Sequence, residues 1–150
     1  MKPLLVFLFL AALPLHAEIR GAVRGGNFVG AESVLAGSIE LDARLGRWSV
    51  APAYEVIRGG YGLHAVHVDV RHLIRTSRNT FWIGAGPTFV SSNSSSETTW
   101  NADAGMAWRL KSRWEPFVAA RYYSFRLPAF RDELEGNGAV ISIGVSRRFW

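Results

Sequence analysis

The stretch LHAVHVDVRHL, residues 63–73, alternates through its centre: Val66, Val68 and Val70 lie in one phase and His67, Asp69 and Arg71 in the other. Successive side chains of an extended strand point to opposite faces, so this segment reads as a strand with one apolar and one charged face. What each face meets decides the fold.

The same pattern recurs along the chain. Eight segments are expected to be strands: 18–26, 33–44, 48–57, 63–73, 80–90, 100–110, 115–125 and 138–149. In the second, Leu35, Gly37, Ile39, Leu41 and Ala43 oppose Glu40, Asp42 and Arg44; in the sixth, Ala102, Ala104, Met106, Trp108 and Leu110 oppose Asp103 and Arg109. Each segment is near the roughly 9 to 11 residues a tilted strand needs to cross a bilayer. The connections at 45–47 (LGR), 74–79 (IRTSRN) and 111–114 (KSRW) are short or modest. Those at 91–99 (SSNSSSETT) and 126–137 (RLPAFRDELEGN) are expected to be long polar loops on the opposite rim, joined there by the brief stretches 26–32 and 58–62. Short turns on one rim and longer loops on the other are the habit of bacterial membrane barrels.

Composition agrees with an exported chain. Residues 1–17, MKPLLVFLFLAALPLHA, have a positive start at Lys2, an apolar run from Leu4 to Leu13 and a small-residue exit at Ala17, and are read as a secretory signal peptide. The barrel domain is then expected to occupy 18–150. There is no cysteine, so no disulfide staples the chain and closure must come by another route. The net charge is +5, but the arginines are spread along alternating segments instead of forming a patch, which argues against a nucleic-acid partner.

Aromatic placement separates a membrane barrel from a soluble one. Trp48, Phe81, Trp82, Trp108, Trp114, Phe149 and Trp150 fall near the short-turn rim, and Phe28, Tyr61, Phe89, Trp100, Tyr122, Tyr123 and Phe125 near the long-loop rim. Aliphatic residues fill the strand centres. Two aromatic bands around an aliphatic belt match the interfacial girdles of a barrel in lipid. The fold class expected is all-β, an eight-stranded antiparallel up-and-down transmembrane β-barrel.

WIGAGPTFV at 82–90, ADAGMAWRLKSRWEPFVAARYYSF at 102–125 and the ending GVSRRFW resemble the small eight-stranded outer-membrane β-barrel family of Gram-negative-type bacteria, over the whole chain after residue 17. The resemblance implies an outer-membrane location, with outer-membrane lipids and the barrel-assembly machinery as partners. It also implies an assembly signal in the last strand, Ile141, Ile143, Val145, Phe149 and Trp150; the first four match the pattern, Trp150 lies one residue beyond its usual end, and Arg147 stands where an aromatic or aliphatic residue is usual.

If the apolar faces meet lipid, the charged faces meet inside. Arg20, Arg24, Glu40, Asp42, Arg44, Glu55, His67, Asp69, Arg71, Asp103, Arg109 and Arg121 are expected to form an interior network of mixed sign. An eight-stranded barrel is only wide enough for side chains to fill, so the lumen is expected to be closed. No cofactor is expected. His64 and His72 lie in one phase of their strand and His67 in the other, so no metal site is assigned. The function expected is non-enzymatic, structural or surface-directed through the loops, whose partner stays open. Two alternatives remain. One is a small-solute pore. The other is a lipid A-modifying barrel: RYYSFRLPAF, residues 121–130, resembles the deacylase segment in which a histidine lies two residues before a serine, with a later glutamate. Ser124 and Glu133 or Glu135 could supply two of those groups, but Tyr122 occupies the histidine position, leaving the serine without a base to activate it.

Overall fold

A computed structural model describes residues 17–29, 33–58, 62–92, 95–124 and 137–149. Eight strands follow in order: β1 (Glu18–Val29), β2 (Ser33–Leu45), β3 (Trp48–Arg58), β4 (Leu63–Arg75), β5 (Asn79–Ser91), β6 (Ser96–Trp108), β7 (Trp114–Ser124) and β8 (Asn137–Arg148). Each pairs antiparallel with its chain neighbours, and β1 pairs with β8 from Arg20↔Arg148 to Val29↔Ala139. The sheet is therefore a closed up-and-down barrel. Closure leaves no open edge, which is the condition for a sheet to exist in lipid.

The connections sort onto two rims. On the turn rim, β2 and β3 are joined by Gly46–Arg47, where Gly46 has φ 60°, the left-handed region that favours glycine. The β4–β5 turn closes with Asn79 N donating to Thr76 Oγ1 at 3.0 Å, and the β6–β7 turn with Trp114 N donating to Ser112 Oγ at 3.2 Å. On the loop rim, the expected long loop at 91–99 is instead largely ladder. β5 runs to Ser91, β6 begins at Ser96, and Ser91↔Ser96 through Thr88↔Thr99 are in register. A run of Ser and Thr reads as flexible, but cross-strand hydroxyl pairs suit a strand rim, and the composition concealed it. The long connection is 125–136, outside the described residues.

Side chains alternate as a closed wall requires. Outward positions carry the aliphatic belt, including Val23, Ile39, Val66, Val68, Val70 and Ile83, with Ile143 71% exposed. Trp48, Phe81, Trp108, Trp114 and Phe149 stand outward toward the turn rim, and Phe89, Trp100 and Tyr122 toward the loop rim. So many exposed large apolar side chains around one band are rare on soluble monomers and form a lipid-facing belt. Three girdle assignments are corrected. Phe28, Trp82 and Tyr123 are near a rim in sequence but in the inward phase of their strands, and all three are buried. Adjacent aromatics such as Phe81 and Trp82 must point to opposite faces, so one of each pair belongs inside.

The belt predicts its own sensitivity. Val68→Arg, near the middle of β4, should cost about 2 to 4 kcal/mol in bilayer refolding, whereas Val29→Arg at the loop rim should cost about 0 to 1 kcal/mol. Denaturant titration in vesicles measures both, and equal costs would invert the assignment of faces.

Candidate functional site in the barrel interior

The inward phase of every strand meets along the axis, and its residues form three layers. At the loop rim, Phe28, Ala36, Ile57, Leu63, Ala65, Val90, Tyr123 and Val140 form one buried apolar cluster. Toward the turn rim a second cluster holds Ala22, Leu73, Trp82, Ala107, Phe117 and Ala119. The charged residues pack between and around them.

The central cluster sets Arg24, Arg71 and Arg121 against Glu40, Glu55, Asp69 and Asp103. Arg121, fully buried, reaches Asp69 at 2.6 Å, Glu55 at 3.3 Å, Glu40 at 3.5 Å and Asp103 at 3.8 Å. Arg71 forks onto Glu40 at 2.5 and 2.8 Å and reaches Asp103 at 2.7 Å. Arg24 lies 3.5 Å from Asp103, 3.6 Å from Glu55 and 3.8 Å from Glu40. Planar guanidinium groups suit this work because each presents several donors in a fixed fork and stays charged. Neutral groups complete the shell. Tyr123 donates to Glu55 at 2.6 Å and contacts His67 Nε2 at 3.1 Å, while His67 Nδ1 lies 2.9 Å from Thr88 Oγ1. Asn101 Nδ2 donates to Asp69 at 2.8 Å, and Trp82 Nε1 to Asp103 at 2.9 Å.

Nearer the turn rim, Arg20 pairs with both Glu18 and Glu115, and Arg44 donates to Asp42 at 2.5 Å. A cavity of about 20 Å³ lies beside them, lined by Arg24, Glu40, Asp42, Arg44 and Arg71 among others. That is room for about one water.

The expected interior residues Arg20, Arg24, Glu40, Asp42, Arg44, Glu55, His67, Asp69, Arg71, Asp103 and Arg121 thus share one space. Arg109 does not. β6 ends at Trp108, so Arg109 continues the inward phase past the wall, lies exposed in the turn and donates to Thr76 O at 2.9 Å. Partners outside the expected set include Glu18, Glu115, Trp82, Asn101, Thr88 and Tyr123. Glu115 and Tyr123 lie in the phase of Arg121 and Asn101 in that of Asp103, whereas β5 carries no charge to mark the phase of Thr88. Phase was the available signal, and charge alone overlooked neutral donors.

Large rings inside need room, and glycines on neighbouring strands give it. A Cβ at Gly105 would fall 2.2 Å from the Trp82 ring, at Gly144 2.4 Å from Phe117, and at Gly138 1.9 Å from Phe28. Trp82↔Gly105 and Phe117↔Gly144 are direct cross-strand pairs. Each ring covers a bare stretch of backbone, a device that pins register.

Of the other sequence candidates, Ile141 and Ile143 face outward on β8, Val145 is half-buried, and Phe149 N donates to Ile19 O at 3.0 Å. Trp150, Glu133 and Glu135 lie outside the described residues. Tyr122 faces outward from β7. Among the described residues no group of three His, Cys, Asp or Glu has the arrangement of a metal site.

A closed eight-stranded wall, an apolar belt between aromatic bands and a charged packed interior define a small outer-membrane-type β-barrel. In three dimensions the chain is similar to Neisserial surface protein A (NspA), with TM-score 0.66 and 12% identity over 89% of this chain and 97% of that one. It is similar to the N-terminal β-barrel domain of Pseudomonas aeruginosa OprF, with TM-score 0.64 and 14% identity over 89% and 100%. It is also similar to the outer membrane enzyme PagL, with TM-score 0.58 and 14% identity over 86% and 98%. At these identities the likeness shows the fold. No family model and no curated protein matches the sequence.

Removing one member of a buried ion pair typically costs about 3 to 5 kcal/mol, because its partners stay charged and unpaired. Arg121→Ala should fall in that range and Arg109→Ala, in the exposed turn, within about 0.5 kcal/mol of the parent. Equilibrium unfolding of the two variants in the same vesicles makes the comparison.

Proposed function

We propose that the protein is a non-enzymatic outer-membrane barrel, a sealed body that serves envelope structure or surface contact through its loop rim. The observation that carries this reading is the filled interior. The loop-rim apolar layer closes over the charge cluster, with Phe28, Leu63, Val90 and Tyr123 each about 1% exposed. A through path for ions would have to cross both that dry layer and a set of carboxylates and guanidinium groups already paired. The reading also fits the position of Tyr122, on the outer face where a deacylase-like site would need a histidine.

The ending of the chain is proposed as the signal for assembly. Ile141 and Ile143 offer an outward apolar row, and Phe149 lies against Gly21 on the outer face, where a Cβ would come within 2.9 Å of its ring. Deleting Phe149 and Trp150 should lower the amount of heat-modifiable protein in the outer membrane well below that of Thr98→Ala, and quantitative gels of envelope fractions compare them. Equal levels would remove the signal role.

Planar-bilayer recording tests the sealed body. The purified protein should give no steady conductance at neutral pH. Reproducible single-channel steps would replace this reading with the pore.

A further inference from the structure

The charges are distributed unequally between the two ends of the barrel. At the turn rim Arg47 lies in the β2–β3 turn, and Arg75 and Arg78 flank the tip of the β4–β5 turn. Arg109, Lys111 and Arg113 occupy the β6–β7 turn, and Arg147 and Arg148 end β8. All are exposed. Against them, the carboxylates at this end are Glu18, Asp42 and Glu115, the first and last engaged by Arg20 and Asp42 by Arg44. No ion pair among the described residues involves any of the rim cations. The loop rim has the opposite balance in sequence, with Glu32, Glu97, Asp132, Glu133 and Glu135 against Arg58, Arg126 and Arg131.

The rim cations are held in place by backbone bonds, without carboxylate partners. Arg109 N donates to Arg78 O at 2.7 Å, and Arg148 N to Arg113 O at 3.0 Å, so cationic residues of separate segments are neighbours along the rim. Such an arrangement repels itself unless anions screen it. Its depth in the membrane identifies the anions. The cations begin where Trp48, Trp108, Trp114 and Phe149 end the apolar belt, and the Arg147 guanidinium lies 5.2 Å from the centre of the Trp114 ring. Interfacial aromatics sit at headgroup level, so charges just beyond them meet lipid phosphates.

We propose that the turn rim is a binding surface for anionic phospholipid headgroups of the periplasmic leaflet, an inference that rests on the barrel spanning the outer membrane with its turns toward the periplasm. The headgroups neutralise the ring of cations and hold the barrel at a fixed depth. A neutral zwitterionic lipid supplies phosphate but also its own ammonium group, and screens less.

Protein purified from membranes and reconstituted into phosphatidylcholine vesicles, with and without phosphatidylglycerol, tests this through spin-labelled analogues of each lipid. Motionally restricted phosphatidylglycerol should exceed phosphatidylcholine by about fivefold at sites touching a rim cation. The preference should collapse near 1 M salt, where the screening length falls to about 3 Å. Combining Arg47→Gln, Arg75→Gln, Arg78→Gln and Lys111→Gln should weaken it, and lysine in place of the same three arginines should retain it. Equal restriction of both lipids, with the heat-dependent gel shift of a folded barrel intact, overturns the inference and leaves the proposed function standing. Failure to insert in either vesicle, with no gel shift, overturns both. Absence of lipid preference together with co-sedimentation on peptidoglycan, lost in the glutamine variant, overturns the lipid assignment in favour of an anionic polymer.

Discussion

Closure of β8 onto β1 is the constraint from which the other features descend. A sheet in lipid must pair every backbone amide within itself, and at eight strands the resulting cylinder is too narrow to hold a column of solvent. The inward side chains must then both fill the space and satisfy one another. Arg121 shows how this is done: one guanidinium, deep in the barrel, stands within ion-pair distance of four carboxylates from four different strands. Its burial is tolerable because carboxylates arrive from across the lumen as well as from the adjacent β6, so that four strands share the compensation. The wall and the network are two aspects of one alternation.

Much of this was legible in the sequence. Val66, Val68 and Val70 against His67, Asp69 and Arg71 announce both faces of β4, and repetition of that pattern yields the strand number and most of the interior. Legibility failed where position along the strand was weighed before phase. Trp82 and Tyr123 lie near a rim, where rings read as girdle residues, yet each shares its phase with buried neighbours, Thr88 for the first and Arg121 for the second. It failed again at Arg109, where phase was right but the strand had ended. The Ser-rich stretch 91–99 misled for a different reason, since hydroxyl residues serve ladders and loops alike and composition does not distinguish the two.

The two ends of the barrel differ in chemistry as well as in loop length. The loop end is closed by an apolar layer, whereas the turn end keeps paired charges close to the surface, with Arg20, Arg44 and Glu115 near the mouth. Exposed cations then continue outward from it. A barrel of this kind is polar in the sense of having a direction: its contents are stratified along the axis, and the stratification follows from which residue types each strand carries at its start and finish. Aromatic girdles mark the edges of the belt, and the exposed cations distinguish one end of the body from the other.

The rings seated over glycines carry a less obvious consequence. Trp82 occupies volume that belongs geometrically to Gly105 on the next strand, and Phe117 does the same to Gly144. Neither position of such a pair has an independent identity. Enlarging the glycine evicts the ring, and shrinking the ring leaves bare backbone lining a void. Information about one site is therefore written at two places in the chain, 23 residues apart for Trp82 and Gly105 and 27 for Phe117 and Gly144. Pairs of this kind couple β5 to β6 and β7 to β8 as lock and key, so that these strands meet by shape as well as by hydrogen bonding.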